Sequence, residues 1–303
     1  MFTLRGTLAG LRHGRTFATG IVLAGLLTVT PAPAMAQDDP NPGALTISGG
    51  YDFLNQYMFR GIRQHSTGIA MWPWADLGIA AYSGEGSLKS ASINFGTWNS
   101  LHTGDTGSDG PSGKLWYESD FYVTFGLGFG GGVSFSTTYT AYTSPSNLFS
   151  TVKEIMFKLA LDDSGYLGGG AVKPYVLIAQ EFDATDINPV TGLPGQADGG
   201  AGAGTYMELG MSPGYTGTRV SVAVPVKVGL SLSDYYEFND TNNTFGYFSV
   251  GGLVTVPLGG TTKFGSWNVH FGAEYQRLGD GPAFANGGEE NKGIFSGGIG
   301  FTY

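Results

Sequence analysis

The chain has 303 residues, no cysteine, 52 glycines, 14% aromatic and 13% charged residues, and a formal net charge of −9. Without cysteine there is no disulfide, no thiolate metal site and no lipid attachment through a cysteine. The acidic balance excludes a nucleic-acid partner, which selects basic surfaces.

The N-terminal segment carries Arg5, Arg12, His13 and Arg15 and no acidic residue. The apolar run Thr16–Val29 and the small-x-small pattern Ala34-Met35-Ala36 follow. This is the layout of a cleaved signal peptide over residues 1–36, and the apolar run falls short of the roughly 20 residues a membrane-spanning helix needs. Export through the inner membrane of a Gram-negative bacterium is therefore expected, with residues 37–303 as the mature domain. Losing Arg5, Arg12 and Arg15 leaves 12 basic against 24 acidic residues.

Mean hydropathy is about zero, and no mature segment is apolar for 18 residues, so helical spans are not expected. Low charge with abundant glycine and aromatic residues suits transmembrane strands instead, where only every second side chain meets lipid. Period 2 dominates the mature chain. In Arg219–Leu232, Val220, Val222, Val224, Val226, Val228, Leu230 and Leu232 share one face, opposite Arg219, Ser221, Ala223, Lys227, Gly229 and Ser231. In Ser266–Gln276, Trp267, Val269, Phe271, Ala273 and Tyr275 alternate with Asn268, His270, Gly272, Glu274 and Gln276.

Extended to the whole mature chain, the pattern predicts about twelve strands: 44–60, 68–83, 87–101, 113–129, 132–143, 151–163, 172–183, 203–215, 219–232, 244–258, 265–278 and 292–303. Short connectors (84–86, 130–132, 164–171, 216–218, 259–264) alternate with longer polar ones (61–67, 102–112, 144–150, 184–202, 233–243, 279–291). Short periplasmic turns alternating with long extracellular loops characterise an outer-membrane barrel, and an even strand count puts both ends of the barrel on the periplasmic side. A soluble sandwich also alternates, but its strands average about 5–6 residues. The fold expected is thus all-β, a transmembrane antiparallel up-and-down barrel. Its last strand alternates up to Phe301 and Tyr303, a terminal-aromatic pattern similar to the one the barrel-assembly machinery recognises.

Parity then assigns Asp52, Arg60, Asp76, Trp98, Glu118, Asp120, Glu154, Lys158, Glu208, Lys227, His270 and Glu274 to the lumen, as pore-lining residues. Lys173 and Glu181 go inward because charge facing lipid costs a few kcal/mol at mid-depth. The excess of carboxylates either favours cations in a wet pore or belongs to a ladder that fills a narrow barrel. Tyr57, Phe59, Trp72, Trp74, Trp116, Tyr117, Trp267, Phe301 and Tyr303 fall near strand ends, as interfacial girdles do. Trp72, Trp74, Trp98 and Trp116 also have the parity for a sugar-stacking track. Pro73 and Pro225 lie inside strands and lack an amide donor, so each implies a bulge or an unmade ladder bond.

No enzyme, metal site or cofactor is expected. His65 and Ser66 point to opposite faces if extended, His102 falls in a Gly/Thr/Asp stretch, and His270 lies near Glu274; none makes an evident nucleophile–base pair. Acidic segments 105–109, 183–186 and 234–240 lack EF-hand spacing and read as solvated loop tips.

Tyr57-Met58-Phe59-Arg60-Gly61-Ile62-Arg63-Gln64 resembles the opening segment of the Gcw_chp family, also called TorF-like porins. Gly96-Thr97-Trp98-Asn99-Ser100 and Glu118-Ser119-Asp120 are similar to two further segments of that family; Arg63 and the long 184–202 segment depart from it. The resemblance covers the first third of the chain and implies an outer-membrane barrel with a porin role and Arg60, Trp98, Glu118 and Asp120 as signature positions. The expectation is passive diffusion of small hydrophilic solutes or ions with mild cation preference. The alternatives are a non-conducting structural or adhesion barrel acting through its loops and, third, an outer-membrane enzyme. Expected partners are outer-membrane lipid, lipopolysaccharide and the assembly machinery; a homo-oligomer is compatible with the sequence.

Overall fold

An alternating ribbon presents two faces to two environments, and twelve such ribbons close into one antiparallel ring in the computed structural model. The structure describes residues 43–104, 115–183, 203–238, 241–259 and 263–303. The expected signal segment 1–36, the acidic segment 105–109 and the long segment 184–202 lie outside the described residues.

The strands are β1 (Leu45–Leu54), β2 (Ala70–Ser83), β3 (Leu88–His102), β4 (Trp116–Phe129), β5 (Val133–Thr143) and β6 (Val152–Leu161). They continue with β7 (Tyr175–Asp183), β8 (Thr205–Met211, extended by Gly214–Thr216) and β9 (Ser221–Ala223 and Val226–Ser233). The ring is completed by β10 (Phe245–Pro257), β11 (Ser266–Leu278) and β12 (Asn291–Thr302). Each strand pairs with the next, and β12 pairs back onto β1 with Asp52 opposite Gly298, so the sheet has no free edge. The seam is tight: Ile47 and Tyr303 exchange two backbone hydrogen bonds of 2.7 Å.

The side of the sheet that is oily decides between a membrane barrel and a soluble one. Val222, Val224, Phe271 and Tyr275 are 38%, 40%, 61% and 44% exposed on the outer wall. Leu45, Ile47, Phe53, Phe95, Phe121 and Phe295 are exposed around it as well. A continuous apolar outer wall over a polar interior is stable against acyl chains and not against water. Trp267 stacks on Phe301 at 5.2 Å near the short-turn rim, and Tyr303 is exposed beside them, as a girdle requires.

Both prolines interrupt the ladder. Pro73 falls in the gap between the Met71↔Leu101 and Trp74↔Trp98 pairs of β2 and β3. Pro225 separates the two parts of β9, and its carbonyl accepts from the Gly251 amide at 2.9 Å.

Connectors 84–87, 130–132, 217–220 and 258–265 close one rim together with the longer 162–174, and 55–69, 103–115, 144–151, 184–204, 234–244 and 279–290 close the other, giving a short-turn rim and a long-loop rim. In the turn after β6, Asp163 accepts the Lys173 amide at 2.9 Å and the Val172 amide at 3.1 Å. These bonds hold its carboxyl below the ordinary aspartate range.

Three expectations need correction. The predicted strand 44–60 ends at Leu54. Residues 57–65, expected to be split between strand and polar loop, form a separate buried hairpin, Tyr57–Phe59 against Ile62–His65. Lys173, expected in the lumen, is exposed in the turn at a φ of 50°, just before Pro174 and the start of β7.

Candidate functional site

The interior has two unlike halves. Toward the long-loop rim, the 57–65 hairpin folds into the ring between β1 and β2 and fills it. Its tip, Arg60-Gly61, takes φ values of 47° and 86°, as a two-residue hairpin turn requires. Glycine meets that demand freely; arginine does so at a cost. The tip is fastened by the Tyr236 hydroxyl donating to the Arg60 carbonyl at 2.8 Å and the Asn286 amide donating to the Gly61 carbonyl at 2.8 Å.

This turn aims Arg60 at the wall. Its Nη1 and Nη2 donate to the two carboxylate oxygens of Glu154 at 2.6 and 2.9 Å, and Nη1 also donates to the Tyr235 hydroxyl at 2.9 Å. The guanidinium carbon lies 4.3 Å from the Tyr206 ring centre. Arg60 is 3% and Glu154 1% exposed, so the pair is fully desolvated and each charge depends on the other.

Around the hairpin, Tyr57 packs on Trp72 and Trp98 at 5.1 and 5.5 Å. Tyr57, Phe59, Trp72 and Tyr117, expected as interfacial girdles, are instead buried in this filling. Trp116, which parity sent inward, is exposed on the outer wall. A register shift between Ser100 and Leu101 opposite Trp116 reverses the alternation there. The aligned tryptophan track for sugars is therefore not formed.

Glu118 and Asp120 are buried on β4. His102, expected in a loop, ends β3 and bonds Ser100 Oγ through Nε2 at 2.7 Å. Ser100 is wholly buried and its hydroxyl also accepts from the Trp72 indole at 2.8 Å, so this pair braces the hairpin against β2 and β3.

At mid-depth a ladder crosses the wall. Asp52 faces His270 Nε2 at 2.5 Å. Asp76 accepts from Asn94 at 2.6 Å and from the Tyr122 hydroxyl at 3.0 Å. Glu208 accepts from the hydroxyls of Tyr175, Tyr206 and Tyr247 at 2.6, 2.7 and 2.8 Å. Lys227 stands 3.8 Å from Glu274, and the Lys158 ammonium lies 4.3 Å from the Tyr175 ring centre. Asp52, Asp76, Glu154, Lys158, Glu208, Lys227, His270 and Glu274 thus share the inner face of the ring, with Arg60 arriving from the hairpin rather than from a barrel strand.

Toward the short-turn rim the wall is small and bare. Ser90, Ser92, Gly126, Gly128, Ser134 and Ser136 adjoin across β3, β4 and β5. They point inward and yet are partly or fully exposed, because nothing among the described residues occupies the space in front of them. Exposure on an inward face is the mark of a hollow.

No family model matches the chain, and no curated protein matches it. Solved structures similar to it are membrane barrels. The NanC porin is 12% identical, covering 85% of this chain and 99% of its own, with a TM-score of 0.39. The outer membrane phospholipase A from Escherichia coli is 9% identical, covering 84% and 92%, with a TM-score of 0.42. The translocator domain of the autotransporter NalP from Neisseria meningitidis is 14% identical, covering 87% and 89%, with a TM-score of 0.39. At such identities and scores the barrel assignment rests on the strand register and the oily outer wall of the chain itself.

Proposed function

We propose that the chain is a porin-like channel of the bacterial outer membrane, passing small hydrophilic solutes or ions by diffusion with mild preference for cations. The observation that carries this reading is the strip of small inward residues on β3–β5, which face the lumen and meet solvent. The long-loop rim then lies outside the cell and the short-turn rim in the periplasm, with the hairpin as the constriction. The carboxylates of the ladder outnumber its lysines and arginine, which lowers the energy of cations in the passage.

Membership of the Gcw_chp family is part of the same reading. Its signature positions Arg60, Trp98, Glu118 and Asp120 all gather around the hairpin. Contacts with lipopolysaccharide at the outer rim, recognition by the assembly machinery through Phe301 and Tyr303, and export by cleavage after Ala36 complete it. The Ser100–His102 pair is assigned no catalysis, being sealed under Trp72 and Tyr57.

One observation favours a second reading. The buried Arg60–Glu154 pair and aromatic filling close the outer half, as in a structural barrel acting through its loops. Planar-bilayer recording separates the two. Discrete current steps with a reversal potential shifted toward the cation in a salt gradient support the channel. Silent bilayers from protein that is inserted and heat-modifiable on gels would refute it.

A further inference from the structure

The place occupied by the Arg60 guanidinium is built almost entirely by other elements. Glu154 comes from β6, Tyr142 from β5, Tyr206 from β8 and Tyr235 from the loop after β9. These wall groups are held by bonds that do not involve Arg60. Tyr142 donates its hydroxyl to Glu154 Oε1 at 3.1 Å, and Tyr206 is fixed by Glu208 at 2.7 Å and by the Tyr247 hydroxyl at 3.1 Å. The cage is therefore preorganised. It offers a flat ring face, a carboxylate with two forward oxygens and a phenol, which together match a planar cation.

Arg60 reaches this cage only because a turn that favours glycine or asparagine holds an arginine in the left-handed region, at φ 47°. A residue kept at such a position serves what its side chain reaches.

We propose that Glu154, Tyr142, Tyr206 and Tyr235 form a binding site for solutes bearing a guanidinium or alkylammonium group, and that Arg60 is its tethered occupant in the closed state. The inference rests on the channel reading, and it names cationic solutes of this shape as those that compete with the hairpin for the passage. A tethered occupant has a high local concentration, so the site is open to assay once Arg60 is truncated.

The test uses the full chain purified from membranes as Arg60→Ala, probed with methylguanidinium and with urea, its neutral counterpart in shape. Methylguanidinium is expected to raise the unfolding midpoint saturably and to reduce the variant's conductance. Urea at the same concentrations does neither, and both responses vanish in the Arg60→Ala/Glu154→Gln double variant. Arg60→Gln, which keeps length and polarity, serves in the same assay if the alanine variant does not assemble. Equal responses to methylguanidinium and urea, or a methylguanidinium response that survives Glu154→Gln, would overturn the site. A variant that binds methylguanidinium but never conducts would remove the channel reading and leave the site. One that conducts and ignores methylguanidinium would do the reverse.

Discussion

The two halves of the lumen are made from the same strands and the same alternation, yet one is solid and the other hollow. On β4 the inward positions run Glu118, Asp120, Tyr122, Thr124, Gly126, Gly128 from the long-loop rim to the short-turn rim. On β3 they run His102, Ser100, Trp98, Gly96, Asn94, Ser92, Ser90 in the same direction. Charged and aromatic residues stop by mid-axis, and at the short-turn end only glycine and serine remain. The difference teaches that alternation sets which way a side chain points, while residue volume along the inward face sets whether anything is left to pass through.

The largest effect expected is from Glu154→Ala. It leaves the Arg60 guanidinium buried without its carboxylate, a loss of about 3–5 kcal/mol by analogy with other broken buried pairs. The urea midpoint of heat-modifiable protein should fall accordingly, and single-channel conductance should rise several-fold as the hairpin loosens. Unaltered conductance with the full loss of stability would show that the solid half is not the constriction.

Next comes the outer wall, which serves as the control for both halves. Phe271→Arg puts a charge against lipid near mid-depth and should cost about 2–4 kcal/mol, read in the same unfolding assay. A change below that of a loop substitution would mean this face is not in hydrocarbon.

The hollow half should respond in the opposite sense to the solid one. Ser136→Arg is expected to leave stability within about 0.5 kcal/mol, because its side chain has room, while lowering conductance and cation preference. A large loss of stability there would mean the space is filled.

The smallest effect lies outside the lumen, in the turn after β6. Asp163 titrates lower when folded than when unfolded, so the stability it lends is present above the usual carboxylate range. It is lost as pH falls through the lowered folded value. Asp163→Asn should flatten the acid limb of the unfolding midpoint and leave conductance unchanged; an unaltered acid limb would show that the amide bonds to Asp163 contribute nothing.

Much of this architecture was readable in the residues because two solvents impose it. Valines on one face of β9 and Lys227, Gly229 and Ser231 on the other leave little choice of orientation. The misreadings share a physical cause: places where the chain stops obeying the two-solvent rule. Residues 57–60 continue the apolar look of β1, so the hairpin is invisible to periodicity. Its only local signals are the polar Asn55-Gln56 break and Gly61, and its apolar residues serve a protein interior rather than lipid. Trp116 faces outward against its parity because a register shift reverses the alternation without changing composition. Lys173 stays outside β7 because Pro174 restricts the residue before it and supplies no amide to the ladder. Alternation groups the inward residues of a strand but does not say which carboxylate meets which cation. Pairing across 94 residues, as between Arg60 and Glu154, depends on closure of the ring and leaves no local trace.

The hairpin emerges directly after β1, yet its fastenings come from far along the chain. Arg60 meets Glu154 94 residues later, and Tyr235 and Tyr236 175 and 176 residues later. None of these partners is in place until β6 and the β9–β10 loop have taken their positions. Such distant contacts form late and slowly. Filling of the outer half is therefore a closing event of assembly, and a seated hairpin reports that the cylinder around it is finished.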